Sequence, residues 1–279
     1  MEKSKVALRL AYLGTQYVGF QVQPGLPTVQ AAVVEALRQA HLIEEIETAH
    51  FTASGRTDKG VHALDAVIAF ETEARDHAVP RLINTHLPNE IWTWARADVS
   101  QKFDARRDAV FREYQYFLFD GQFKVGAMRE ASDLLVGVHD FQNFSLDKRR
   151  SAVRKILSSD VWLSGGCVVI QVAADSFVWN MMRKLVSALT LVGNGQQSVE
   201  WFSKMLDPKV HTEGIRSAPA AGLIQTRVEY ADIDFVEDAY AKKRAQKHIQ
   251  EAVLQNSVMV QVLKRFNERM AGSTPIGRA

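Results

Sequence analysis

Hydrophobic periodicity along this 279-residue chain switches between strand and helix spacing in the same order twice. Val6, Leu8, Leu10 and Tyr12 alternate with Ala7, Arg9 and Ala11, which predicts a strand over 5–12. Thr28 suits the N-cap of a helix in which Val29, Val33, Ala36, Leu37 and Ala40 recur at helical spacing, to about residue 41. Residues 48–53 and 65–72 read as strands joined by a polar, glycine-bearing loop; 76–87 read as a short helix and 91–95 as a strand. The order then recurs. Residues 108–119 alternate over a long strand, and Val125, Met128, Ala131, Leu134 and Leu135 suit a helix. Residues 151–173 hold strand material around Gly165-Gly166. Val178, Met181, Met182, Leu185, Val186, Leu189 and Val192 suit a helix that stops at Gly193-Asn194-Gly195, and 222–229 close with a strand.

Two successive β-α-β-β-α-β units predict an α/β (α+β) protein of two ferredoxin-like halves around a mainly antiparallel sheet. No sequence identity links the halves, so the repeat is architectural. At roughly 150 residues per domain the length also suggests about two. The expected division is 1–107, 108–231, and a helical extension and tail over 232–279. Residues 232–270 are rich in Glu, Lys, Gln and Ala and lack Pro and Gly, which predicts one long helix or two shorter ones. Residues 272–279 read as a frayed tail.

No run of about 18 apolar residues occurs, which excludes a helical membrane span. The first residues lead into the alternating segment and not into a continuous apolar signal region. The single cysteine, Cys167, excludes an intrachain disulfide framework and a multi-cysteine zinc site, and fits a reducing, cytoplasmic location. Net charge is only +2. A nucleic-acid binder with this balance must concentrate its positive charge locally.

The loop between the second and third predicted strands carries the most chemistry: Ser54-Gly55-Arg56-Thr57-Asp58-Lys59-Gly60-Val61-His62-Ala63. A plain hairpin needs only turn formers. The bland reading is a surface loop with a local Arg56–Asp58 pair, worth little to stability. A nucleotide-phosphate loop would need Gly-Lys-[Ser/Thr], whereas here Lys59 precedes Gly60.

Gly55 to Ala63 resembles the signature of the TruA-type tRNA pseudouridine synthases, in which the Asp, here Asp58, is the catalytic nucleophile. Further segments are similar to that family in the same order. They are Tyr12-Leu13-Gly14 with Tyr17, Gly19, Gln21 and Gln23; Asn84 with Leu87-Pro88; Phe103-Asp104-Ala105-Arg106; Arg112-Glu113-Tyr114-Gln115-Tyr116; Gly137-Val138-His139-Asp140-Phe141; Phe177 to Arg183; and Ala218-Pro219-Ala220-Ala221-Gly222-Leu223. The resemblance covers about four-fifths of the chain. It departs at Leu13, Phe20, Asp65-Ala66, His86 and Ser187, positions that bear on fine RNA contacts and target choice. The resemblance implies the pseudouridine synthase fold with a central cleft, and a homodimer acting on tRNA. It also implies modification of uridines in the anticodon stem-loop at tRNA positions 38, 39 and 40. In the same way it implies that Tyr114 lies against the target base and Arg183 pairs with Asp58.

The residue types suit that chemistry. Converting uridine to pseudouridine breaks the C1′–N1 bond and joins C5 to C1′, with no redox change and no atoms gained or lost, so neither cofactor nor metal is called for. A carboxylate can act as a covalent nucleophile. Attack on the sugar, attack on the base and abstraction of a ribose proton all remain open. Burial alone disfavours a carboxylate anion, and a nearby Arg opposes that effect. Arg183 otherwise reads as a helix-surface residue, and Tyr114 as a sheet-packing tyrosine. As a site residue, Tyr114 can stack on an unstacked base or move a proton through its hydroxyl. Tyr116 reads as core. A stacked uridine must flip out to be reached. Arg56 is placed to fill that gap or to hold the displaced strand, and His62 to buttress the loop. The expected phosphate contacts are Arg106, Arg107, Lys148, Arg149, Arg150 with Arg154 and Lys155, and Lys184. Each of these is otherwise a solvated surface, as Lys242-Lys243-Arg244 is expected to be. Two alternatives stay open: a synthase for other tRNA positions or another structured RNA, and a non-catalytic RNA-binding module.

Overall fold

The computed structural model describes residues 3–119 and 121–271. The tail expected over 272–279 lies outside the described residues. The first unit runs β1 (Ser4–Tyr12), α1 (Val29–Gln39), β2 (Thr52–Ala53), β3 (His62–Thr72), α2 (Pro80–Ile83) and β4 (Ile91–Val99). The second runs β5 (Ala109–Phe119), α3 (Val125–Asp133), β6 (Gly137–Asp140), β7 (Val153–Ser164), β8 (Cys167–Ala174), α4 (Met181–Gly193), α5 (Val199–Met205) and β9 (Leu223–Tyr230). β10 (Val236–Glu237) and α6 (Ala239–Met270) follow.

Among the described residues the strands form one sheet, ordered β10-β4-β1-β3-β9-β5-β8-β7-β6, with β2 on β3. Within each unit the order is that of a ferredoxin-like fold: β4-β1-β3-β2 in the first and β9-β5-β8-β7 in the second, with β6 added at the far edge. All pairs are antiparallel except β3 with β9. That parallel contact joins the units. β2 covers β3 only at Ala69 and Ile68, which leaves the same edge open at His62 and Ala63 for Ile224 and Gln225 of β9. The segment between β2 and β3 is therefore held at the seam.

The alternation read in β1 marks the face of the strand that packs on the first unit's core. Val6, Leu8, Leu10 and Tyr12 are buried beneath α1, with Val29, Val33, Ala36 and Leu37. Thr28 caps α1 by accepting the Ala31 N–H at 3.3 Å. The opposite face is buried too, by Ala7, Val67, Phe103, Val228 and Tyr230. In the second unit α3 and α4 lay Met128, Ala131, Leu185 and Leu189 on Tyr116, Val168, Ile170 and Val172. Burying each leucine-sized side chain stabilises such a core by about 1.5–3 kcal/mol. Gly165 and Gly166, with φ of +58° and +77°, close the β7–β8 hairpin in the left-handed region that a tight two-residue turn requires.

Several expected boundaries move. The strand expected over 48–53 contracts to Thr52–Ala53, because His50 turns left-handed with φ of +43°. The helix expected over 76–87 is one turn, begun by Pro80 at its first position. α4 begins at Met181 and not near Val178, because Asn180 is left-handed with φ of +66°. The extension after residue 231 forms a strand as well as a helix. β10 pairs with β4 of the first unit, and Asp238 caps α6 by accepting the Tyr240 and Ala241 N–H groups at 3.1 Å each while it pairs with Arg81 at 2.9 Å.

Candidate active site

The polar loop between β2 and β3 is fixed from below by the turn after β1. Phe20 N–H donates to the Thr57 carbonyl at 3.0 Å, and Gly60 N–H to the Tyr17 carbonyl at 3.3 Å. The hydroxyls of Tyr12 and Thr57 lie 2.8 Å apart. A Cβ on Gly14 would stand 1.9 Å from the Val61 carbonyl oxygen, so only glycine lets the turn come this close. Val61 itself is buried in the second unit's core. This is the physical content of the Tyr12, Gly14, Tyr17, Gly19 spacing: those residues build the bed on which Asp58 sits.

His62 ties the same contact. Its Nδ1 accepts the Gly14 N–H at 3.1 Å, which requires a neutral ring at that atom. Burial holds the imidazole below its ordinary pKa, against an opposing hydrogen bond to the Ala221 backbone. Below about pH 6.5 the unfolded chain takes up a proton that the folded imidazole refuses until lower pH, so stability falls on acidification. The expected result is that the melting temperature of the wild type drops between about pH 7.5 and 5.5, and that His62→Gln flattens part of that drop. An unchanged slope in the variant would remove His62 from the linkage.

Asp58 faces an open cleft of about 810 Å³ between the two units. Its Oδ2 pairs with Nη1 of Arg183 at 3.1 Å, and its Oδ1 accepts the indole N–H of Trp179 at 3.2 Å. Arg183 is itself held, since its Nε donates to the Ala218 carbonyl at 2.7 Å and its own carbonyl accepts the Ala218 N–H at 3.0 Å. The side chains of Asp58 and Arg183 are 29% and 19% exposed, so the pair is sheltered yet reachable from the cleft.

Tyr114 stands on β5 and lines the same cleft. Its ring meets Phe177 edge-on, with centroids 4.8 Å apart and planes at 75°. Burial pushes its phenol up to about 12, with Arg112 opposing and the Asp58 charge adding. The phenol therefore stays protonated at neutral pH. Tyr116, two residues on, is buried and donates to the Pro219 carbonyl at 3.0 Å, which makes it core as expected.

The sequence pattern marks no role for Arg112 or Trp179. The Arg112 guanidinium donates to the carbonyls of Ser54 at 2.9 Å, Asp175 at 3.1 Å and Ala109 at 3.3 Å, and also to Arg106. It stitches the start of the Asp58 loop to β5 and β8. Its parity with Tyr114 on one strand was the available signal. Nothing in the spacing marked Trp179, which stands beside core-like methionines.

Arg56, Lys59, Arg106, Arg150 and Arg154 also line the cleft, and the acids there are Asp58 and Asp147. The positive charge absent from the overall balance is concentrated here. Arg150 lies 3.7 Å from Asp147, and Arg154 donates to the Ser151 and Val153 carbonyls. Arg107 and Arg149 are exposed but outside the cleft lining. Lys148 is exposed, with its Nζ on the Gln142 carbonyl. Lys184 corrects the expected set. It is 5% exposed and its Nζ donates to the Ser145 carbonyl at 3.1 Å, so it points into the protein and offers nothing to a phosphate. Burial, with Lys148 nearby, lowers its pKa. Among the described residues no group of three or more His, Cys, Asp or Glu side chains has the geometry to hold a metal. No described helix is long and apolar enough to cross a membrane.

A protein-family profile described as tRNA pseudouridine synthase matches residues 131–231. The chain is 44% identical over 264 residues to the tRNA pseudouridine synthase A of Methanosarcina barkeri, an alignment covering 94% of this chain and 98% of the relative. It is 42% identical over 268 residues to that of Methanothrix thermoacetophila, covering 95% and 98%. It is 37% identical over 266 residues to that of Archaeoglobus fulgidus, again covering 95% and 98%.

Proposed function

Because this chain belongs to the tRNA pseudouridine synthase A family, we propose that it isomerises uridines of tRNA to pseudouridine, with Asp58 as the nucleophile. The observation that carries this reading is the Asp58 carboxylate, paired with Arg183 and open to a cleft whose charged lining residues are mainly cations. The carboxylate attacks the flipped nucleotide while the C1′–N1 bond breaks. The uracil turns within the pocket, C5 joins C1′ as the bond to the Asp58 carboxylate breaks and frees it, and C5 gives up its proton while N1 takes one up. Arg183 balances the Asp58 charge through the steps in which that charge changes. Tyr114 holds the base by stacking, and its phenol, protonated at neutral pH, serves the C5 proton only as a neutral hydroxyl.

Flipping a stacked uridine costs a few kcal/mol, which phosphate contacts must offset. Arg56, Arg106, Arg150 and Arg154, with Lys59 beside them, are the cleft cations in reach, and four such contacts are taken as engaged. Engaging four phosphates makes tRNA affinity fall roughly 50- to 150-fold between 50 and 200 mM salt. A flat salt response would remove the cleft cations from binding.

The targets in this reading are uridines of the anticodon stem-loop, and the working unit is a homodimer. The test is a pseudouridine map of unmodified tRNA before and after incubation with the protein, with the molar mass of the protein measured by light scattering. New pseudouridine confined to the anticodon arm, made by a protein of dimer mass, supports both parts. New pseudouridine elsewhere moves the target to other positions, and a monomer mass removes the dimer.

A further inference from the structure

Trp179 is out of place as a packing residue. The residue is 60% exposed at the cleft, and a tryptophan left that open forgoes much of the burial that makes it useful in a core. Its one polar atom is aimed inward, at Oδ1 of Asp58, 3.2 Å away. Arg183 takes the other oxygen, Oδ2, at 3.1 Å.

We propose that Trp179 is a positioning residue for the reaction, its indole N–H fixing the plane of the Asp58 carboxylate jointly with Arg183. The proposal rests on the reading of Asp58 as the nucleophile. The terminal torsion of an aspartate is broad, so a carboxylate held at one oxygen swings about it. A donor on each oxygen removes that freedom. Each carboxylate oxygen offers two lone-pair sites, so both bonds can be made with a lone pair left to attack. An indole N–H donates and cannot accept, so it orients the carboxylate without competing for the proton in play.

The two donors are also tied to each other. Trp179 stands just before α4 and Arg183 in its first turn, four residues on in the chain. Between them Asn180, left-handed at φ of +66°, turns the chain into the helix. The Trp179 carbonyl accepts the Leu146 N–H at 3.1 Å, the Met181 N–H donates to the Val178 carbonyl at 3.1 Å, and the Lys184 N–H to the Asn180 carbonyl at 3.1 Å. The indole and the guanidinium thus form one rigid fork, supplied by the second unit to a carboxylate on the first.

The test replaces Trp179 in the full-length chain with β-(3-benzothienyl)alanine, which keeps the shape and stacking of the indole and substitutes sulfur for its N–H. The expected result is a kcat lower by about 10- to 100-fold, with KM, tRNA affinity and melting temperature unchanged. Trp179→Phe is expected to lower kcat in the same direction. A kcat within about twofold of the wild type for the benzothienyl variant would overturn the proposal, as would equal losses in kcat and affinity, which mark a structural role. Asp58→Ala is run in parallel. If it turns over, the nucleophile reading itself fails. If it is inactive while the benzothienyl variant is fully active, only the positioning role fails.

Discussion

Asp58→Ala is expected to lower pseudouridine formation by about 10⁴-fold or more while tRNA affinity stays within a few fold. The separation follows from geometry. The carboxylate contributes an anion to a cleft whose other charges are mainly positive, so its loss does not weaken the attraction for phosphate. The fold also tolerates the change. Asp58 is part-exposed, the loop is anchored through the Thr57, Gly60 and Val61 backbones, and Arg183 keeps its bond to the Ala218 carbonyl. Turnover and equilibrium tRNA binding measured on one preparation check this. Turnover within about tenfold of the wild type would take the nucleophile role from Asp58.

Arg183→Met is expected to cost roughly 10²-fold or more in kcat and little in KM. The guanidinium meets the carboxylate and a backbone carbonyl and lines the cleft, so its charge matters most when the carboxylate's own charge changes during the reaction. Methionine keeps the length and most of the packing of the stem, so lost charge and lost shape are separated. Steady-state kinetics with a thermal melt distinguish the outcomes. A large fall in melting temperature with proportionate losses in kcat and affinity would make Arg183 a strut between the units.

The course of the fold was legible where one face of an element is buried. β1, α1, β5, α3 and the β7–β8 hairpin stand within a few residues of where their periodicity puts them. β6, α5 and β10 were not, since a four-residue edge strand, a seven-residue helix and a two-residue strand bury too few side chains to print a pattern. At the site, Gly55 to Ala63 announced itself because a hairpin has no use for Arg, Thr, Asp and Lys between glycines. Lys184 shows the opposite error. It lies three residues after Met181 and four before Ala188, squarely on the apolar stripe of α4, and that phase outweighs its charge. Trp179 was hidden for the converse reason, because an aromatic beside methionines reads as core and only the turn at Asn180 swings it back to Asp58.

The most direct measurement is release of tritium from unmodified tRNA carrying 5-tritiated uridine, with the wild-type chain and Asp58→Ala side by side. Bond formation at C5 expels that hydrogen, so release reports the isomerisation itself. Release is expected from the wild type, none from the variant, and none from a tRNA whose anticodon arm lacks uridine. Absence of release by the wild type on every tRNA supplied would contradict the proposed isomerisation.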